Sequence, residues 1–216
     1  MKELLITNTS DGKSSMAQAI IIKEQYCEEY ETICLFSNTG MENEETLEFI
    51  DKCDREYNLN VVWLEAVVHE HGKGNTHRVT NFKDAYRIEQ YKDPLHPFHA
   101  HIRKNGIPNA TYPQCSDRLK EQVIESYKKA NGLKGVKQAL GMRIDESNRA
   151  TSKTVREALL RFGVGDGDFR VTDNHLERMF LIMNSRKLSV NCEKDMEVIE
   201  RYSLKLKKIQ PCIPYV

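Results

Sequence analysis

Three observations predict an α/β protein built on a doubly wound parallel sheet. Short apolar runs recur at residues 3–7, 32–37 and 60–68, as strands do. Between them lie stretches of helical periodicity about four turns long. A small polar run, SDGKSS at residues 10–15, joins the first apolar run to the first helical stretch. Strands alternating with helices in this way imply right-handed crossovers and a sheet covered on both faces.

The first strand is ELLIT, residues 3–7. From Ser15 the residues Met16, Ala19, Ile20, Ile22, Tyr26, Cys27 and Tyr30 recur near helical spacing and give the first helix. TICLFS, residues 32–37, is the second strand. NTGMENEE then makes a turn into a helix whose acidic start suits the positive end of the helix dipole. Leu47, Phe49, Ile50, Cys53 and Tyr57 line one face of that helix, and NVVWLEAVV, residues 60–68, is the third strand.

Residues 69–113 hold four of the six prolines and six of the seven histidines, with little periodicity, and read as a long insertion decorating the sheet. A helix resumes from Ser116 to Ala130, with Leu119, Val123, Tyr127 and Ala130 on one face. GVKQALGM, residues 135–142, is the fourth strand and ends in RIDESNR. The remainder reads as helical: Val155, Ala158, Leu159 and Phe162; then Leu176, Met179, Phe180 and Met183; then Met196, Ile199, Tyr202, Leu206 and Ile209. The expected organisation is an α/β domain over 1–150, with an insertion at 69–113, and a helical C-terminal extension over 151–216 packed on it.

With 216 residues, 39% of them hydrophobic and 30% charged, the chain suits a soluble fold with one sizeable core. Lys plus Arg and Asp plus Glu both number 32, so neither a generally basic nucleic-acid protein nor a charged membrane-surface protein is favoured. Residues 1–60 hold 5 basic and 13 acidic side chains, which leaves the later chain positive by 8. Anion binding is therefore expected late in the chain, apart from any backbone site near the start. Even the richest apolar segment, VVWLEAVV, contains Glu65, and no stretch approaches the roughly 20 apolar residues of a membrane span. The start, MKELLITNTS, lacks the apolar core of a signal peptide. A cytoplasmic protein is expected. The six cysteines, Cys27, Cys34, Cys53, Cys115, Cys192 and Cys212, never form CxxC, which argues against a zinc ribbon or an iron–sulfur ligand run and for reduced thiols.

SDGKSS gathers backbone N–H groups, a helix N-terminus, Lys13 and the hydroxyls of Ser10, Ser14 and Ser15 around one small volume, as a phosphate chain requires. The plainer reading is a Ser/Asp helix cap with a turn glycine. The Walker A pattern GxxxxGK[ST] fails, because its first glycine would fall on Thr7. The shorter pyrophosphate pattern SGGKxS fits better.

Together with FSNTGMENEETLEFI after strand two and GMRIDESNR after strand four, SDGKSSMAQAI resembles the phosphoadenylyl-sulfate (PAPS) reductase family of adenine-nucleotide α-hydrolase-like proteins, the N-type ATP pyrophosphatases. GKGNTHRVTNF and HIRKNGIPNATYPQCSDRLK resemble the middle region of phage-type members. The resemblance covers about residues 3–150 in consistent order. It implies a Rossmann-like sheet that binds an adenine nucleotide across the carboxyl ends of its strands. It also implies that Ser10, Gly12, Lys13, Ser14 and Ser15 hold the terminal phosphates or sulfate. Phe36 and Ser37 would border the adenine, Asn38, Thr39 and Gly40 would form the second loop, and Arg143, Asp145, Glu146 and Arg149 would close over the nucleotide.

Two positions depart from the family pattern. Asp11 replaces a glycine, and Ser14 stands where an aspartate often follows the lysine. Asp11 either caps the helix and faces solvent or helps to hold Mg²⁺ in place of that aspartate. Arg118 and Lys120 open a helix whose N-terminus could face the same ligand. Cys115 lies just before it and is read as inert. Taken without the family, RIDESNR is either an ion-paired loop or an anion site. His69, His71, His96, His99 and His101 are read as loop histidines lining a substrate mouth rather than as zinc ligands. Lys205, Lys207 and Lys208 read as a solvated helix face.

The expected activity is cleavage of ATP, or of a PAPS-like adenine nucleotide, between the α- and β-phosphates to adenylylate an acceptor. Lys13, Arg143 and Arg149 would carry the chemistry, Mg²⁺ would assist, and no iron–sulfur cluster is expected. The competing expectations are a reductase of PAPS or adenylyl sulfate and a non-catalytic, nucleotide-sequestering phage accessory protein. The ECGxH-type cysteine motif of assimilatory reductases is missing, and Cys212 on the tail is its only substitute. The expected partners are the nucleotide and an unknown acceptor. A homo-oligomer is open, a membrane is not expected, and a nucleic acid is open as acceptor but not indicated. If the protein is phage-encoded, its compartment is the host cytoplasm.

Overall fold

A computed structural model describes residues 2–10, 12–71, 74–108, 114–142 and 180–182, and at 13, 14, 140–142 and 180–182 it describes the backbone alone. In chain order the strands are β1 (Glu3–Thr9), β2 (Tyr30–Asn38), β3 (Val62–Val67), β4 (Thr76–Thr80), β5 (Lys137–Met142) and β6 (Phe180–Ile182). The helices are α1 (Lys13–Gln25), α2 (Glu44–Tyr57), α3 (Pro97–Asn105) and α4 (Gln122–Ala130). A 3₁₀ turn spans Ile88–Gln90, and a π-helical segment, Ser116–Glu121, runs straight into α4. The strands form one sheet in the order β4-β3-β2-β1-β5-β6. The fold is α/β with a mixed, mostly parallel sheet: β2–β3 and β1–β5 are parallel, while the edge strands β4 and β6 run antiparallel to their neighbours.

The chain divides into two compact units. One comprises Met1–Asn8, Gly12–Ile33 and Val136–Val216. Within it Leu5 lies beside Lys137 and Thr7 beside Ala139. Leu5, Ile22, Tyr30 and Ala139 form a buried cluster with Tyr26 packed against it. Residues Ser15 to Ile22 of α1 are buried without a break, so this helix is covered around most of its circumference rather than along one stripe. It ends at Gln25, five residues before β2 begins at Tyr30, whose ring joins the cluster from the strand and not from the helix.

The other unit comprises Thr9–Asp11 and Cys34–Gly135. Here Leu35 to Asn38 pair with Val62 to Glu65. α2 buries Leu47, Phe49, Ile50 and Cys53, opens on Glu44 and Glu45, and ends on Asn58 in the left-handed region at φ 50°, a conformation asparagine tolerates better than most residues. Phe36 meets Trp63 edge-on with centroids 4.9 Å apart, and Trp63 meets Phe82 at 6.0 Å.

Two expectations are corrected. The stretch 69–113 does not merely decorate the sheet: it contributes β4, whose Thr80 to Thr76 pair with Trp63 to Val67. The connection 68–75 is too short for the crossover that a parallel neighbour needs, so the chain returns antiparallel. Phe180, assigned to a helix, instead begins β6, whose Ile182 pairs with Leu140. A short apolar run carries no period that separates helix from strand. The other helices expected beyond residue 150 lie outside the described residues.

Candidate functional site

The polar run SDGKSS falls between β1 and α1. Gly12 is the N-cap of α1, in extended conformation at φ −91° and ψ 142°, and it has no side chain with which to cap the first turn. The N-cap position itself is therefore held by the turn glycine rather than by a Ser or Asp. The first turn of any helix leaves backbone N–H groups without helical partners, and these and the dipole favour an anion. The Ser15 hydroxyl turns back to donate to the Gly12 carbonyl at 2.9 Å. In the same unit two buried polar side chains, Thr7 and Gln18 in the second turn of α1, have no hydrogen-bond partner at Oγ1, Oε1 or Nε2. Groups of this kind cost about 1–3 kcal/mol each.

Asp11, Arg143, Asp145, Glu146 and Arg149 lie outside the described residues, as do Cys192 and Cys212, and of Lys13 and Ser14 only the backbone is described. Ser10 is exposed at the end of β1, next to Thr9, whose hydroxyl donates to the Leu35 carbonyl at 3.2 Å.

The second loop is held from several sides. Phe36, Ser37, Asn38 and Thr39 are all buried. The Ser37 hydroxyl donates to the Leu119 carbonyl at 2.8 Å, and the Asn75 amide donates to the Arg118 carbonyl at 2.9 Å. Both acceptors lie in the π-helical segment, where the wider turn displaces carbonyls from the usual α-helical ladder. Gly40 N–H donates to Asn38 Oδ1 at 3.1 Å and Met41 N–H to Thr39 Oγ1 at 3.3 Å. These are successive side-chain turns of the kind Asn and Thr favour. Thr39 Oγ1 donates in turn to Glu42 Oε1 at 3.0 Å, and Lys120 Nζ lies 3.4 Å from that carboxylate. The structure thus brings Ser37, Asn38, Thr39, Gly40 and Lys120 together. Arg118 pairs instead with its neighbour Asp117 at 3.2 Å.

Beneath the loop sits a charge that the sequence reading passed over. Glu65, 1% exposed on β3, accepts from Asn38 Nδ2 at 2.7 Å, from Tyr86 N–H at 2.7 Å and from the Arg78 guanidinium. Asn38 Nδ2 also donates to the Tyr86 carbonyl at 2.9 Å. Arg78 stands over the Tyr86 ring at 4.8 Å. Burial works against the Arg78 charge, but the Glu65 carboxylate outweighs it and raises the guanidinium's basicity. A glutamate inside VVWLEAVV was the available signal, since a charge in a buried strand has to be paired.

His69 and His71 lie in the irregular segment after β3, as expected of loop histidines, but His96, His99 and His101 do not. His96 caps α3 through Nδ1, which accepts from His99 N–H at 3.4 Å, and its Nε2 lies 3.2 Å from the Gly40 carbonyl. His99 and His101 lie within α3. His96 and His101 are fully buried, and burial lowers the basicity of both. Cys115, before the π-helical segment, has its thiol pushed up by burial, as an inert cysteine would. Among the described residues no three His, Cys, Asp or Glu side chains gather as metal ligands. Among the same residues no helix is long and apolar enough to cross a membrane.

The family profile of the phosphoadenosine phosphosulfate reductase domain matches residues 5–159. The chain belongs to that family. No curated protein and no solved structure matches it significantly. The family match begins in β1 and runs past β5, so SDGKSS, the second loop and RIDESNR all lie within the PAPS reductase domain.

Proposed function

We propose that this PAPS reductase-family protein binds an adenine nucleotide and cleaves ATP between the α- and β-phosphates, adenylylating an acceptor. The observation that carries the reading is the glycine-capped N-terminus of α1 directly after β1. An acidic or hydroxyl residue at that position would bond the first-turn amides with its own side chain, which a glycine does not have. In this reading Lys13 and the amides around it hold the β- and γ-phosphates as a leaving group. An acceptor oxygen or nitrogen attacks the α-phosphorus in line, the bond from that phosphorus to the bridging oxygen breaks, and pyrophosphate departs. Lys13 offsets the charge that develops on it. Arg143 and Arg149 steady the α-phosphate, and the backbone of Phe36 to Gly40 borders the base.

The test is calorimetric titration with ATP, PAPS and adenylyl sulfate, followed by incubation of α-labelled ATP with a panel of acceptors. Binding lost in Lys13→Ala, with the wild type releasing pyrophosphate and passing the label to an acceptor, or on to AMP when a second nucleophile displaces it, supports the proposal. PAPS binding with thiol-dependent release of sulfite would make the protein a reductase. Tight binding with ATP intact throughout would make it a sequestering protein.

A further inference from the structure

Against Gly40 of the second loop packs the side chain of His96, the N-cap of α3. The ring sits where a Cβ on Gly40 would approach its Cε1 and Nε2 to 2.5 Å, well inside any permissible contact. Gly40 itself lies at φ +82°, a conformation that glycine alone adopts at little cost. The backbone of the loop and the imidazole are therefore fitted to one another. The two ring nitrogens have different partners: Nε2 faces the Gly40 carbonyl at 3.2 Å, and Nδ1 faces the His99 N–H at 3.4 Å, while the backbone of Arg87 also lies within reach of the ring and competes with that cap. A carbonyl needs a donor and an N–H needs an acceptor, so both bonds exist together only in the neutral ring protonated at Nε2. Tyr86 and Tyr91 hold the ring edge-on, at centroid distances of 5.2 and 5.7 Å. Tyr86 is the residue whose backbone also grips Asn38 and Glu65.

We propose that His96 is the positioning residue of the second loop, its Nε2–H fixing the Gly40 carbonyl and so the backbone that receives the nucleotide, while its Nδ1 serves only to cap α3. The proposal rests on the nucleotide reading above for what the loop receives, but not for the latch itself. It gives the histidine-rich segment a role at the site without any histidine touching ligand. Binding energy then depends on a residue about sixty positions from the loop in sequence, because a preorganised loop does not pay the ordering cost at the moment of binding.

The two halves of the ring can be removed separately. An asparagine at 96 keeps an acceptor near Nδ1 but does not reach Gly40. A glutamine reaches Gly40 with a donor but leaves His99 N–H uncapped. His96→Asn is expected to melt lower, because a buried ring between two tyrosines is shortened, and to lose about tenfold in nucleotide affinity, the value of one buried hydrogen bond. His96→Gln is expected to melt lower but to bind within about threefold of wild type, as a restored donor should. His96→Asn binding as tightly as wild type overturns the proposal, as does His96→Gln binding no better than His96→Asn. A long-range nitrogen–proton NMR correlation of the wild-type ring tests the latch without any nucleotide. Protonation at Nε2 with Nδ1 bare is the expected result, and protonation at Nδ1 overturns it. If the wild type binds none of the three nucleotides while the ring carries its proton on Nε2, the functional reading fails and the latch stands.

Discussion

Glu65→Ala should be among the most damaging single changes in this chain, and the contacts say by how much. The carboxylate accepts from three donors, and they do not suffer equally when it is removed. Arg78 is 42% exposed and can turn to water, so losing the ion pair itself costs little. Asn38 keeps one of its two bonds through the Tyr86 carbonyl. The Tyr86 N–H and the second Asn38 proton are left without an acceptor, at about 1–3 kcal/mol each. The sum is about 3 kcal/mol, at the lower end of the cost of breaking a buried pair. For a chain of this length that corresponds to a fall of about 6–12 °C in melting temperature. Glu65→Gln keeps an oxygen for both Asn38 and Tyr86 and gives up the charge and the acceptor facing Arg78, which is exposed enough to turn to water, so it should cost about 1 kcal/mol. Thermal melting followed by circular dichroism orders the three proteins. A Glu65→Gln protein that melts as low as Glu65→Ala would mean that the charge matters and not the acceptors, and the argument would be wrong. So would a Glu65→Ala protein within 2 °C of wild type.

Gly40→Ala meets both the His96 ring and the left-handed backbone, and should lose more than about 2 kcal/mol in urea unfolding; a change below about 0.5 kcal/mol would show that the loop is not fitted to the ring. Cys53, fully buried, has its thiol pushed up to about 12 by burial and then by Glu56. The unfolded thiol ionises near pH 9 while the folded one stays protonated, so its contribution is complete below pH 9 and is lost towards pH 12, at no more than about 1.4 kcal/mol per pH unit; Cys53→Ala should flatten that part of the stability profile, and an unchanged slope would refute the assignment. Alkylation of the native protein at pH 8 should mark exposed Cys27 well before Cys34 or Cys53, and equal rates would contradict their burial.

What the sequence could and could not reveal follows from how far each feature reaches along the chain. β1, α1, β2, α2 and β3 are local patterns whose periods repeat within a dozen residues, and SDGKSS sits at the junction where strand period gives way to helix period. β4 was not legible. THRVT has a single aliphatic residue, and it is a strand because the edge of β3 is open to it. Nor was the support of the second loop legible, because Ser37 to Leu119, Asn38 to Glu65 and Gly40 to His96 are contacts between residues 27 to 82 positions apart. NTG reads as a turn in either case. That its asparagine and glycine are each gripped by a distant side chain is tertiary information. His96 before Pro97 did carry a local hint, since proline favours the first position of a helix and leaves the residue before it to cap.

The π-helical segment at Ser116–Glu121 makes the helix that contains it a spliced one. A π turn holds one residue more than its hydrogen-bond ladder would in an α-helix, and each residue of an α-helix advances about 100° around the axis. Everything upstream of the splice is therefore rotated by roughly that angle with respect to Val123 and Tyr127. The length of the segment, rather than the identity of any one side chain, sets the bearing of Lys120 towards Glu42 and of the Leu119 carbonyl towards Ser37. Substitutions there could be absorbed side chain by side chain, whereas removal of a single residue would restore a uniform helix and turn both groups away together. Tolerance of exchange combined with intolerance of deletion would mark a segment that works as a spacer, keeping phase between the sheet and the helix that covers it.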